Sequence, residues 1–152
     1  MPLNEFLKDW IVNYAKSKDV FQKTLVEIKK DVSEIVAIHK HKEVRYFIDP
    51  FLENIDKNLK EIKQDSHAFF ICTNSEENLK KMISMWDELI SYSHLGFIFL
   101  NPFSRTDKLW TIFPHTHNLI ADEASLNTGL QSMFIQVEQV DRNSVEKMYE
   151  NE

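Results

Sequence analysis

The sequence predicts a mixed, helix-rich α/β fold: a small mixed sheet containing a βαβ unit plus an antiparallel strand, covered by helices and preceded by about three N-terminal helices. Three observations carry that expectation. Apolar residues in the first 65 positions recur at helical spacing, whereas 68–72 and 97–100 are short, continuous apolar runs of the kind seen in strands covered on both faces. Glycine and proline number only two and four in 152 residues, against average usage of about 7% and 5%, which disfavours an architecture built on tight turns.

Asn4 can cap a first helix in which Phe6, Leu7, Trp10, Ile11 and Tyr14 share one face, ending near Ser17. Asp19 can cap a second, where Phe21, Leu25, Ile28, Val32, Ile35 and His39 follow steps of 4, 3, 4, 3 and 4, a heptad seam. The seam is too short for a coiled coil, so it packs either on its own domain or as a homodimer or protein-partner interface formed by Phe21, Leu25, Ile28, Val32 and Ile35. Residues 44–48 fit a helical extension or a short strand. Asp49-Pro50 opens a third helix carrying Phe51, Leu52, Ile55, Leu59 and Ile62.

The run Ala68–Cys72 reads as a central strand. Thr73, Asn74 and Ser75 offer caps for a helix with Leu79, Met82, Ile83, Trp86, Leu89 and Ile90 on its buried side, stopped by Gly96. A second strand, 97–100, completes a right-handed βαβ unit with parallel strands. Residues 101–107 form an open hairpin loop, and Leu109, Trp110, Ile112 and Phe113 an antiparallel strand ended by Pro114. Leu126, Leu130, Met133, Phe134, Val137 and Val140 favour a helix, with a strand over 133–140 as the alternative. The chain is thus expected to be one domain spanning residues 1–152: a helical N-terminal region (1–65), an α/β region (66–140), and an acidic tail (141–152) in which Asp141 can cap a short helix.

Composition narrows the function classes. A single cysteine, Cys72, permits no intramolecular disulfide, and its apolar run would keep the thiol protonated and unreactive. The start MPLNEFLKDW lacks the basic beginning and apolar run of a signal peptide, and no stretch of about 18 apolar residues occurs, so a cytoplasmic chain without a membrane partner is expected. Net charge is −6, with 12 basic and 12 acidic side chains in residues 1–65 but 6 and 12 in the remainder. Nucleic acid is therefore not an expected partner, and the densest basic patch, His39-Lys40-His41-Lys42 with Arg45, reads as a solvated helix end. Glycines at 96 and 129 alone exclude the Rossmann and P-loop fingerprints, and Cys-x-x-Cys, His-Glu-x-x-His and glycine-flanked serine motifs do not occur. Trp10, Trp86 and Trp110 fall on core-facing positions.

Chain direction suggests two sites. In a parallel pair, His67 and His94 precede their strands at one end of the sheet, and an antiparallel third strand would deliver His115 and His117 to the same end, with Asp65, Asp122 and Glu123 as oxygen donors. Imidazole and carboxylate suit a divalent transition metal such as zinc, iron, nickel or manganese, and Asp122 or Glu123 could then act as general base on a bound water. A second His-x-His, His39 and His41, falls where a helix would splay the rings apart. At the opposite end, the amides of Thr73, Asn74 and Ser75 with Arg105 could hold an anion, although Glu76 and Glu77 oppose that use. Three classes follow: an interaction or assembly module without catalysis, which leads; a metal-dependent hydrolase or nuclease at the histidine end; and a small anionic-ligand binder.

Overall fold

The computed structural model describes residues 3–141 and residue 143; the greater portion of the expected tail, 141–152, lies outside the described residues. Six strands form one mixed sheet in the order β1-β2-β3-β4-β5-β6: β1 (Leu25–Lys30), β2 (Glu34–His39), β3 (Glu43–Ile48), β4 (His67–Thr73), β5 (Leu95–Leu100) and β6 (Leu109–Ile112). The helices are α1 (Leu3–Lys18), α2 (Ile55–Leu59), α3 (Glu76–Ser84), α4 (Trp86–Leu89), α5 (Pro114–Ile120) and α6 (Glu123–Phe134). Strands β3, β4 and β5 are parallel, and the remaining pairings are antiparallel.

The βαβ unit and the antiparallel strand after it are present as expected from their apolar runs. Phe70, Ile71, Cys72, Phe97, Ile98, Phe99 and Leu100 are all fully buried, because both faces of the central strands are covered. One face packs with α3, α4 and α6 through Phe70, Phe97, Phe99, Leu79, Met82, Trp86 and Phe134. The other face is covered by α1, which buries Leu7, Ile11, Val12 and Ala15 against Ile35, Ala37, Tyr46, Ile71 and Ile98.

The first third of the chain departs from the helical expectation. α1 forms, with Asn4 inside it rather than capping it, but the heptad seam is a hairpin, β1 and β2. A bulge between Leu25 and Glu27 turns the two-residue strand repeat into a step of three, and the connection at 31–33 supplies the next step of four. The seam residues therefore split: Phe21 and Val32 are exposed, Leu25 and Ile28 are half-buried, and Ile35 is fully buried beneath α1. Six β-branched residues between Val26 and Ile38 favour strand over helix, and tertiary pairing decides the outcome. Residues 44–48 resolve as strand. His39–Lys42 is consequently a strand end and turn rather than a helix end, and Arg45 lies on β3, paired across strands with Glu34.

Asp49 caps open amides, as its position before Pro50 suggests, accepting from the N–H groups of Glu53 and Asn54 at 2.9 and 3.0 Å, but the helix that follows is short and begins only at Ile55. The expected single helix after β4 divides at Met85 into α3 and α4. Gly96 is not its stop: it lies within β5, opposite Phe69 in the parallel register. A Cβ there would stand 2.6 Å from the Phe69 ring and 3.0 Å from Phe113, so the missing side chain is what lets the Phe69 ring lie across β5. Pro114 ends the third strand but also opens α5, placing His115 and His117 on a helix. From 126 to 134 the helix reading holds, and Val137 contributes an isolated bridge to Asp107.

A single buried amide ties the segment after α6 to the sheet. The Asn74 side chain donates to the carbonyls of Val137, Phe134 and Glu138 at 2.9, 3.3 and 3.4 Å and accepts from Trp110 Nε1 at 2.7 Å. Asn101 adds a bond to the Glu138 carbonyl at 2.9 Å.

Two outcomes test this packing. Asn74→Ala leaves a buried indole N–H and several carbonyls without partners, and should cost about 2–4 kcal/mol in urea unfolding; a loss within the scatter of surface substitutions would show the clamp to be idle. Gly96→Ala should cost about 1–3 kcal/mol through overpacking, and adding Phe69→Leu should recover some of that loss. Strict additivity of the two changes would contradict the contact.

Candidate functional site

The sheet extends beyond the end of α1, and the uncovered corner is a cavity of about 290 Å³. Its walls come from the end of α1 (Ala15, Lys18), the following loop (Asp19, Gln22), the end of β2 (His39) and the start of β3 (Lys42, Val44, Tyr46). The start of β4 (His67, Phe69), the residue before β5 (His94) and the residue after β6 (Phe113) complete them. With β3, β4 and β5 parallel and β2 and β6 running against them, all these segments reach one end of the sheet, the end where His67 and His94 were expected to meet.

The chemistry of the walls is cationic and aromatic. Lys18 and Lys42 stand with three histidines, and the one carboxylate among them, Asp19, is already engaged. Asp19 accepts from the N–H groups of Thr24 and Leu25 and from the Thr24 hydroxyl, each at 2.9 Å. Burial pushes its pKa up, but those hydrogen bonds and the nearby His39 more than offset this and hold the carboxyl below its ordinary value. The Thr24 hydroxyl also meets His39 Nδ1 at 2.9 Å, which fixes that ring at the cavity wall.

Tyr46 is 4% exposed, and its hydroxyl has no hydrogen-bond partner among the described residues. Burial, aided by the neighbouring Tyr14, pushes its pKa up to about 12, so the group keeps its proton and can donate. His67 and His94 stack with ring centroids 4.3 Å apart and planes 13° from parallel. The pKa of His67 is lowered by burial first, then by His94 and Lys42, with Asp65 opposing weakly.

The four expected metal ligands separate into two pairs. His67 and His94 meet, whereas His115 and His117 lie on α5, packed against α4: His115 Nδ1 bonds the Ile90 carbonyl at 2.7 Å, and the His117 ring stands edge-on to Trp86. Proline at the first position of α5 replaces the extended segment on which the four-histidine arrangement relied. Among the described residues no group of three or more His, Cys, Asp or Glu is placed to hold a metal ion. The stacked pair cannot share one either, because lone pairs in near-parallel ring planes do not converge at the ~2.0–2.1 Å a metal–imidazole bond requires.

Asp122 caps α6, accepting from the Ser125 N–H at 2.8 Å, and hydrogen bonds with Ser125 lower its pKa. Glu123 opens the same helix, and its side chain lies outside what the structure describes. At the opposite end of the sheet, the expected anion residues are occupied structurally. Ser75 caps α3 through the Asn78 N–H, the Thr73 hydroxyl donates to the Pro50 carbonyl, and Asn74 holds the clamp described above. The Arg105 side chain is 91% exposed and pairs with Glu138. Cys72 is fully buried, which raises its thiol pKa well above the ordinary value and agrees with an unreactive role.

His39, Lys42 and Tyr46 belong to the cavity but carry no signal when 21–39 is read as a helix and 44–48 is left open between helix and strand. Once both segments are taken as strands, chain direction alone brings His39 and the start of β3 to the histidine end. Comparison with protein-family models, with curated proteins and with solved structures finds no match to this chain.

Proposed function

We propose that the protein binds a small anion carrying a flat apolar group, a phenyl phosphate or aromatic carboxylate in chemical type, in the cavity beyond α1. One observation carries the reading: two lysines, three histidines and the Tyr46 hydroxyl, which has no hydrogen-bond partner among the described residues, line a single cavity whose lone carboxylate is satisfied by backbone amides. Lysines, imidazoles and a tyrosine hydroxyl around a concave space are the complement of an anion, with Lys18 standing over the Tyr14 and Phe69 rings and His39 held by Thr24, and Tyr46, Phe69 and Phe113 supply apolar walls. Volume sets the size, since about 290 Å³ is at the lower limit of small-molecule sites.

In this reading Lys18 and Lys42 attract the ligand, Tyr46 donates to one of its oxygens, and His67 takes up a proton when it arrives. An entering negative charge favours imidazolium and so opposes the burial and the neighbouring His94 and Lys42 that keep the His67 pKa low. Binding should therefore consume protons and strengthen as pH falls.

A thermal-shift series with phenyl phosphate, benzoate and inorganic phosphate tests the proposal. A ligand at about 100 times its Kd adds ~2.7 kcal/mol, a rise of roughly 5–10 °C for a chain of this size. The rise should be larger at pH 6 than at pH 8 and should shrink in Tyr46→Phe and Lys42→Glu; a flat response to all three anions would sink the proposal.

Stability without ligand should show the opposite trend. A histidine whose pKa is lowered in the fold binds its proton less readily there than in the unfolded chain, so its contribution is present above the ordinary value of 6.5 and lost as pH falls below it. His67→Gln should flatten the decline in unfolding free energy between pH 7 and pH 5, as measured by urea titration. An unchanged slope would remove His67 from the account.

A further inference from the structure

Beside the cavity, the loop of residues 19–24 and the turn of residues 40–42 form one tip. The Lys40 N–H donates to the Thr24 carbonyl at 2.9 Å, the Thr24 hydroxyl meets His39, and the Asp19 carboxylate holds the Thr24 and Leu25 amides. The tip is thus tied together, yet Phe21 is 94% exposed and Val20 59% exposed. An aromatic ring so fully in water, on a loop anchored by several hydrogen bonds, presents an apolar point rather than covering a core.

Around that point the charge is positive. Residues 16–23 and 39–42 carry five lysines, Lys16, Lys18, Lys23, Lys40 and Lys42, against one carboxylate, Asp19, which is bound to backbone amides. Glu43, next to Lys42, and Asp65, near His67, are further carboxylates at this end, which still leaves lysines in excess around Phe21 on a chain that carries −6 as a whole. An aromatic flanked by lysines complements an anionic bilayer surface, where the ring seats at headgroup depth and the ammonium groups meet negative lipid. The acidic remainder is repelled by the same surface, which orients the tip toward it.

We propose that this tip docks the protein on an anionic lipid surface, with Phe21 entering the interface and the surrounding lysines contacting headgroups. The contact is peripheral, since no described helix is long and apolar enough to cross a membrane. It rests on exposure and charge at the tip and does not require the cavity to be occupied, so the two readings fail separately.

Co-sedimentation of the full chain with vesicles tests it, comparing pure phosphatidylcholine with a mixture holding roughly 30% phosphatidylserine. The protein should bind the anionic vesicles alone, and lose that binding as salt is raised. Phe21→Ser should weaken partitioning roughly tenfold and Lys40→Gln roughly fivefold, with melting temperature and circular dichroism unchanged because neither side chain is packed in the protein. Equal binding to both vesicle types, no binding to either, or indifference to Phe21→Ser would overturn the proposal. So would a single-stranded oligonucleotide that binds the tip in preference to the vesicles.

Discussion

One packing constraint shapes this molecule: a single helix, α1, must cover an entire face of a six-stranded sheet. Its buried residues, Leu7, Ile11, Val12 and Ala15, lie along one stripe over β2, β3, β4 and β5. Beyond Lys18 the helix stops, and the strands continue beneath open space. Ends of one strand and beginnings of three others, with the residue after β6, converge there, so the cavity follows from the mismatch between helix and sheet and needs no special loop.

The other face carries three helices. Helices α3, α4 and α6 fill it with Met82, Trp86, Leu89 and Phe134, and the carboxyl ends of the parallel strands are closed by Asn74 and Asn101 bonding to the segment after α6. Ligands in open α/β sheets commonly sit at those carboxyl ends. Here the polar groups at that position are consumed by structure, and the proposed site lies at the opposite end. Which end of a sheet holds a site thus depends on where side-chain hydrogen bonds remain unmade.

Much of the second half was legible in the sequence because its strands are continuous apolar runs and its helix α3 begins at a serine cap. Strands β1 and β2 were not, and β3 was one of two open readings of residues 44–48. The bulge after Leu25 and the connection near Val32 space apolar residues as a heptad would, and only the density of β-branched residues pointed the other way. That one coincidence of spacing hid most of the site: His67 and His94 are found by chain direction within the βαβ unit, whereas His39, Lys42 and Tyr46 depend on strands that periodicity concealed. His115 and His117 were carried to the wrong place because Pro114 starts a helix instead of prolonging a strand. No local pattern announces the unpartnered Tyr46 hydroxyl, since it arises from what fails to pack above it.

The cationic cavity and the lysine-flanked tip lie side by side on a chain that is otherwise acidic, and both come from the same uncovered corner of the sheet. The central claim, that this corner is where an anion is held, is tested most directly by following the six histidine side chains by NMR while phenyl phosphate is added. The ring signals of His39, His67 and His94, which line the cavity, should move as the anion is added, whereas those of His115 and His117 on α5 should not. Movement confined to His115 and His117, or to none of the six, would contradict it.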